Sequence, residues 1–191
     1  MKKKLALVAL VLALAGCSST DGVAGVATGD ANYNTGKAYT NYLEPDRADI
    51  DPWTSTTDTG ETVTSDDFDG QVVVLNFWYA ACAPCRTEAP VLQELSTKFA
   101  DQGVQFYGVN VRDKADSAAG FTKENGVTYP SLIDADTGNI QFAYASASPV
   151  TATPTTLVID RHGRVAARIL GELDGPSLLD TFISDTLAEA D

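Results

Sequence analysis

The sequence predicts an α/β sandwich, with a mixed central sheet and helices on both faces. Three observations predict it. Short apolar runs with strand character alternate with longer stretches of helical periodicity. The run at 71–77 (QVVVLNF) is almost continuously apolar, which suits a strand buried on both faces. The last two runs, 155–160 (TTLVID) and 164–170 (RVAARIL), are separated only by Arg161-His162-Gly163, a connection that makes them an antiparallel hairpin.

Taken in order, 71–77 is the central strand, and a helix follows over 82–100 with Leu92, Leu95 and Phe99 on one stripe. Residues 104–111 (VQFYGVNV) form a second strand and 117–125 a second helix. A short strand at 131–133 and a helical turn at 139–145 lead into the hairpin, and a C-terminal helix spans 174–188. The order β-α-β-α-β-β-α describes a three-layer α/β/α sandwich.

The ends of the chain carry a separate message. Lys2, Lys3 and Lys4 precede an uncharged apolar run at 5–15. That run is short of the ~20 residues a membrane-spanning helix needs, and its basic flank suits a secretory signal. It ends in Leu14-Ala15-Gly16-Cys17, which resembles the bacterial lipobox. The resemblance implies cleavage before Cys17 and a lipid on its thiol; the alternative is an ordinary signal peptide with a chance cysteine. Acyl chains contribute ~0.8 kcal/mol per buried CH₂, so two or three of them anchor firmly. Residues 1–16 are thus read as signal peptide, 17–45 (rich in Ser, Thr, Gly, Asp and Asn) as a flexible tether, and 46–191 as one domain.

The formal charge is −13 over 191 residues. Removing residues 1–16 takes away three lysines, leaving 10 basic against 26 acidic side chains, or −16. Such a surface argues against nucleic acid and against electrostatic docking on anionic lipid.

With Cys17 assigned to a lipid, Cys82 and Cys85 are the remaining cysteines. A pair so close in sequence closes a very short loop and stabilises little as a structural disulfide, so its presence points to reactivity. It lies where a strand runs into a helix. Unpaired N–H groups and the positive dipole end stabilise a thiolate there. Cys82 is therefore the expected attacking thiol, and Cys85, one turn on and expected to be more buried, the resolving thiol. Pro84 is tolerated in the first turn, where its missing N–H has no intrahelical partner. A zinc site usually needs two more Cys or His ligands, and the one histidine, His162, is distant. Haem attachment would need His after the second cysteine, where Arg86 stands. No metal and no cofactor is expected; thiol exchange is.

VVVLNFWYAACAPCRTEAP resembles the active-site segment of the thioredoxin superfamily, specifically its TlpA/ResA-like branch, and TATPTTLVIDRHGRVAARILG resembles that family's cis-proline strand and following hairpin. The similarity covers residues 45–188 and implies a thioredoxin-like fold. Pro154 matches the cis-proline, with Thr153 before it; in the family this loop offers backbone groups to an extended substrate chain. Without the resemblance, Pro154 reads as a trans proline opening a strand. Pro90 matches a proline expected to bend the active-site helix.

Glu88 shares the helix face of Cys82 and Cys85 and continues the apolar stripe. Desolvation there is expected to raise its pKa toward neutrality and fit it for proton transfer with Cys85, a role the branch associates with a glutamate at this place. The plain alternative is an acid favoured by the helix dipole. Asn76 stands where general thioredoxins carry a buried acid, which Glu88 could replace. Ala81 replaces the aromatic residue that commonly precedes the first cysteine. Trp78 is read as packing beside the site and is grouped with Thr153 and Pro154 on the substrate side. Arg86 could lower the cysteine pKa, though on an exposed helix face it is more often solvated.

The resemblance implies an extracytoplasmic thiol–disulfide oxidoreductase, and a monomer is expected. Its expected partners are client proteins carrying disulfides or thiols, for example in cytochrome c maturation, and a membrane thiol–disulfide carrier. A DsbE-type oxidase would use the same residues; a reading of another class is a lipid-anchored client-binding or chaperone module that uses the cis-proline groove with little turnover. A peroxiredoxin would want Thr at position 79, which is Tyr79.

Overall fold

The computed structural model describes residues 38–189. The signal segment 1–16, Cys17 and the tether up to residue 37 lie outside the described residues. The strands are β1 (Ala38–Asn41), β2 (Thr54–Thr57), β3 (Thr62–Thr64), β4 (Val73–Trp78), β5 (Gln105–Asn110), β6 (Ser131–Ile133), β7 (Thr155–Ile159) and β8 (Val165–Leu170). The helices are α1 (Ala83–Phe99), α2 (Ala115–Glu124), α3 (Asn139–Tyr144) and α4 (Ser177–Leu187). All eight strands form one sheet in the order β1-β8-β7-β4-β5-β6-β2-β3. β4, β5 and β6 are mutually parallel along that order, and β7 runs antiparallel to both β4 and β8.

β4 is buried along its whole length, as its apolar run requires. Side chains on a strand alternate between faces. Val73, Leu75 and Phe77 therefore join a core with Trp53, Phe68, Ile140 and Tyr144. Val74 packs on the opposite face with Leu92, Leu95 and Phe99 of α1 and with Leu179 and Ile183 of α4. Helices thus cover both faces, and the three-layer thioredoxin-like sandwich expected from the sequence is what forms.

Two features differ from the sequence reading. Residues 38–41, assigned to the tether, form β1 and pair with β8 in the register Ala38↔Leu170. Main-chain pairing onto an otherwise open sheet edge needs no apolar pattern, so composition did not reveal it. The β2–β3 hairpin was likewise not anticipated, because its buried positions include Ser55 and Thr57, so TSTT and TVT show no apolar alternation although threonine favours strands. The start of the domain is fastened by Arg47, whose guanidinium bonds Asp160 at 3.0 Å and Glu189 at 2.6–2.7 Å.

Candidate active site

β4 ends at Trp78, and Cys82 N–H donates to the Tyr79 carbonyl at 3.1 Å, turning the chain into α1. Cys82 is the N-cap of α1, its sulfur accepting the Cys85 N–H at 3.3 Å. Cys82 and Cys85 form a disulfide with a Cα separation of 5.3 Å. The Cys82 sulfur thus sits on the end of the helix where unpaired N–H groups stabilise a thiolate once the bond opens. Cys85 is not the more buried of the two: each residue is 3% exposed. Both belong to one buried cluster with Trp78, Ala89, Ala118 and Phe121, which covers the two alike.

Glu88 is fully buried, on the same stripe as Leu92, Leu95 and Phe99. Its Oε1 accepts a 2.7 Å hydrogen bond from Asn76 Nδ2, and its Oε2 accepts the Leu173 N–H at 3.0 Å. Burial disfavours the charged carboxylate while donated hydrogen bonds favour it, and both act on this group. Burial, and secondarily the charge of Glu88, pushes the nearby Tyr129 phenol well above its ordinary range. Asn76 also donates to Thr156 Oγ1 at 3.1 Å, so the carboxylate is tied to β4, to β7 through Asn76, and to the segment after β8. Pro90 lies inside α1, which runs through it as one helix.

The Thr153–Pro154 bond is cis. The β4–β7 register pairs Phe77 with Thr155, so Thr153 and Pro154 lie just beyond, at the end of the sheet where β4 leads to Cys82. The Pro154 carbonyl accepts the Gly171 N–H at 2.9 Å, and Thr153 is half-buried. Trp78 departs from its grouping with these residues. It is 3% exposed and stacks on Phe121 of α2 at 4.2 Å between centroids, so a client chain does not reach it. Its place is under the site, in a cluster with Cys82, Cys85, Ala89 and Ala118.

Sequence reasoning missed the loop after β5. Asp113 accepts the Ala80 N–H at 2.6 Å and an Asn110 Nδ2–H at 3.0 Å, while Asn110 Oδ1 accepts the Arg112 and Asp113 N–H groups. This fixes the turn leading to Cys82. Arg112 lies over the Tyr79 ring at 4.2 Å, and Arg86 donates to the Ala80 carbonyl at 3.2 Å. The available signal was Asn110, a polar residue closing an apolar strand beside the redox strand. Among the described residues, no group of three or more His, Cys, Asp or Glu side chains could hold a metal ion.

A disulfide at the head of a helix, reached from the central strand of a mixed sheet with a cis X–Pro bond at the same end, defines a thioredoxin-fold protein. The chain belongs to the AhpC/TSA family, which matches residues 48–168. Within that fold its relatives are of the TlpA/ResA type. It is 40% identical over 105 residues to the thiol:disulfide interchange protein HelX of Rhodobacter capsulatus, covering 55% of each chain. It is 36% identical over 107 residues to the thiol-disulfide oxidoreductase ResA of Geobacillus kaustophilus, covering 56% of this chain and 59% of the relative. The chain thus spans little more than half the length of these curated relatives. Among solved structures, a DsbF homologue from Corynebacterium diphtheriae superposes with a TM-score of 0.67 at 34% identity, over 77% of this chain and 92% of that one. A secreted thiol-disulfide isomerase from Corynebacterium glutamicum gives 0.67 at 32% identity, over 79% and 92%.

Proposed function

We propose that this chain is an extracytoplasmic thiol–disulfide oxidoreductase, tethered to the bacterial cell membrane by a lipid on Cys17, that reduces disulfides in client proteins. The observation that carries the reading is the Cys82 sulfur at the N-cap of α1, bonded to Cys85, at the end of the sheet where the cis Thr153–Pro154 bond also lies. Reduced Cys82 attacks a client disulfide as thiolate, forming a mixed disulfide and releasing one client thiol. Cys85 then attacks Cys82, the client leaves as a dithiol, and the pair is oxidised by two electrons. Glu88 takes up the proton that Cys85 gives up. Since the Pro154 carbonyl is engaged by Gly171, pairing with the client backbone falls to Thr153.

The names of the relatives HelX and ResA support the chemistry, and the secreted relative from Corynebacterium glutamicum supports the compartment. Clients of this kind include the haem-binding cysteines of apocytochrome c, and a membrane thiol–disulfide carrier would return the pair to its reduced state. The test is insulin reduction by the wild type and by Cys82→Ser, together with the reduction potential of the pair. Activity retained in Cys82→Ser would remove the nucleophile assignment. A potential near the thioredoxin value of about −270 mV supports the reductase, and one well above about −200 mV makes the protein a DsbE-type oxidase. A pair that does not turn over at all would leave a client-binding module. Incorporation of labelled fatty acid that disappears in Cys17→Ala tests the anchor.

A further inference from the structure

Ser131 opens β6, and its main chain is held from two sides: its N–H donates to Asp58 Oδ1 at 3.2 Å and its carbonyl accepts the Asp58 N–H at 2.7 Å. The residue is 1% exposed, and its hydroxyl is one of the few buried side-chain polar atoms without a hydrogen-bond partner among the described residues. A buried hydroxyl left unsatisfied is costly, so it calls for an explanation. Ser131 lines a small cavity under the disulfide, together with Asn76, Trp78, Cys85 and Tyr129. The cavity measures about 10 Å³, at the threshold for a single water molecule. On the neighbouring strand, a Cβ at Gly108 would come within 2.6 Å of both Ser131 Oγ and Trp78 Nε1. Gly108 is therefore required by space, and what it makes room for is this hydroxyl and the indole beside it.

We propose that Ser131 is a positioning residue for the resolving thiol, its hydroxyl holding one water molecule against the Cys85 sulfur once the pair is reduced. The water donates a hydrogen bond to the Cys85 thiolate while that thiolate attacks Cys82 of the mixed disulfide. The Cys82–client bond breaks, the Cys82–Cys85 bond forms, and the client sulfur leaves as a thiolate that solvent protonates. The proton lost by Cys85 goes to Glu88.

This inference rests on the thiol-exchange reading, and its test is kept separate by using no client. In the full chain carrying Cys82→Ser, alkylation of Cys85 by iodoacetamide is followed against pH by mass spectrometry, with and without Ser131→Ala. The titratable groups near Cys85 (Glu88 on α1 and Tyr129 before β6) are the same in both. The expected result is an upward shift of the midpoint in Ser131→Ala and a rate at pH 7 lower by roughly three- to tenfold. With Cys82 intact and the pair oxidised, Ser131→Ala is expected to melt close to the wild-type temperature, since no protein group among the described residues pairs with the hydroxyl. An unchanged alkylation profile would overturn the proposal. So would a clearly lower melting temperature, which would give the hydroxyl a structural role. Failure of insulin reduction would instead sink the functional reading.

Discussion

Asn76 on the central strand and Glu88 on the active-site helix are joined by a 2.7 Å hydrogen bond in which the amide donates and the carboxylate accepts. The second carboxylate oxygen accepts the Leu173 N–H, so residue 88 faces N–H donors at both ends. Glu88→Gln then sets a donor against a donor unless the Asn76 amide turns over to accept, at an expected cost of up to about 3 kcal/mol. Asn76→Asp alone sets two buried carboxyls against each other, which is also destabilising. Combining the two changes restores the pairing: the introduced amide donates to the introduced carboxylate, and its oxygen still accepts the Leu173 N–H. Urea denaturation of the oxidised protein is expected to show the double variant more stable than the sum of the single changes predicts. Additive losses would mean that the two side chains do not act as a pair.

The two cysteines have different places on the helix even though they are equally buried. Cys82 occupies the cap and Cys85 the first turn. Cys85→Ser is therefore expected to stop the reaction at the mixed disulfide, so that a covalent adduct with a disulfide-bearing peptide accumulates on a non-reducing gel. Cys82→Ser is expected to form none. Equal trapping by both variants would contradict the division of roles.

The parts legible in the sequence are those in which side-chain burial dictates structure. β4 reads as a strand because it is covered on both faces, and α1 reads as a helix because Leu92, Leu95 and Phe99 recur at helical spacing. Cys82, Cys85 and Glu88 were legible for the same reason, as reactive or charged residues at positions fixed by that pattern. β1 was not, since it is held by main-chain bonds to β8, and the threonine-rich β2 and β3 lie at the other end of the sheet. Within the site, Leu173 contributes only a backbone N–H, and Ser131 reaches the cavity only through the β5–β6 register, Gly108↔Ser131. Neither is visible without the fold.

Asp113 holds the turn before Cys82 through the Ala80 N–H. Asp113→Ala removes that acceptor and the partner of Asn110 Nδ2, at an expected cost of about 1–2 kcal/mol. The larger effect is expected on chemistry, because Cys82 would no longer be delivered to the helix cap in one geometry. Disulfide exchange with a small aromatic disulfide should slow by roughly three- to tenfold, a loss of about 1 kcal/mol in positioning. An exchange rate equal to wild type would show that the turn is held by its other bonds alone.

Asp160, at the opposite end of β7 from the cis-proline, is expected to contribute to acid stability. Burial raises its pKa, but the Arg164 N–H, the Arg47 and Arg164 side chains and the His162 N–H together outweigh it, so the carboxyl titrates below its ordinary range. A carboxylate with a depressed folded-state pKa contributes stability above its unfolded pKa, about 3.9, and that contribution is lost as the pH falls through the folded value. Asp160→Asn leaves Glu189 as the one carboxylate on the buried Arg47 guanidinium among the described residues, and is expected to cost about 3 kcal/mol at neutral pH. Denaturation followed from pH 7 downward should show the gap between wild type and variant constant to about pH 5, then narrowing as the wild-type carboxyl takes up its proton. A gap that stays constant down to about pH 2 would mean that the charge of Asp160 contributes nothing and that the loss comes from hydrogen-bond geometry.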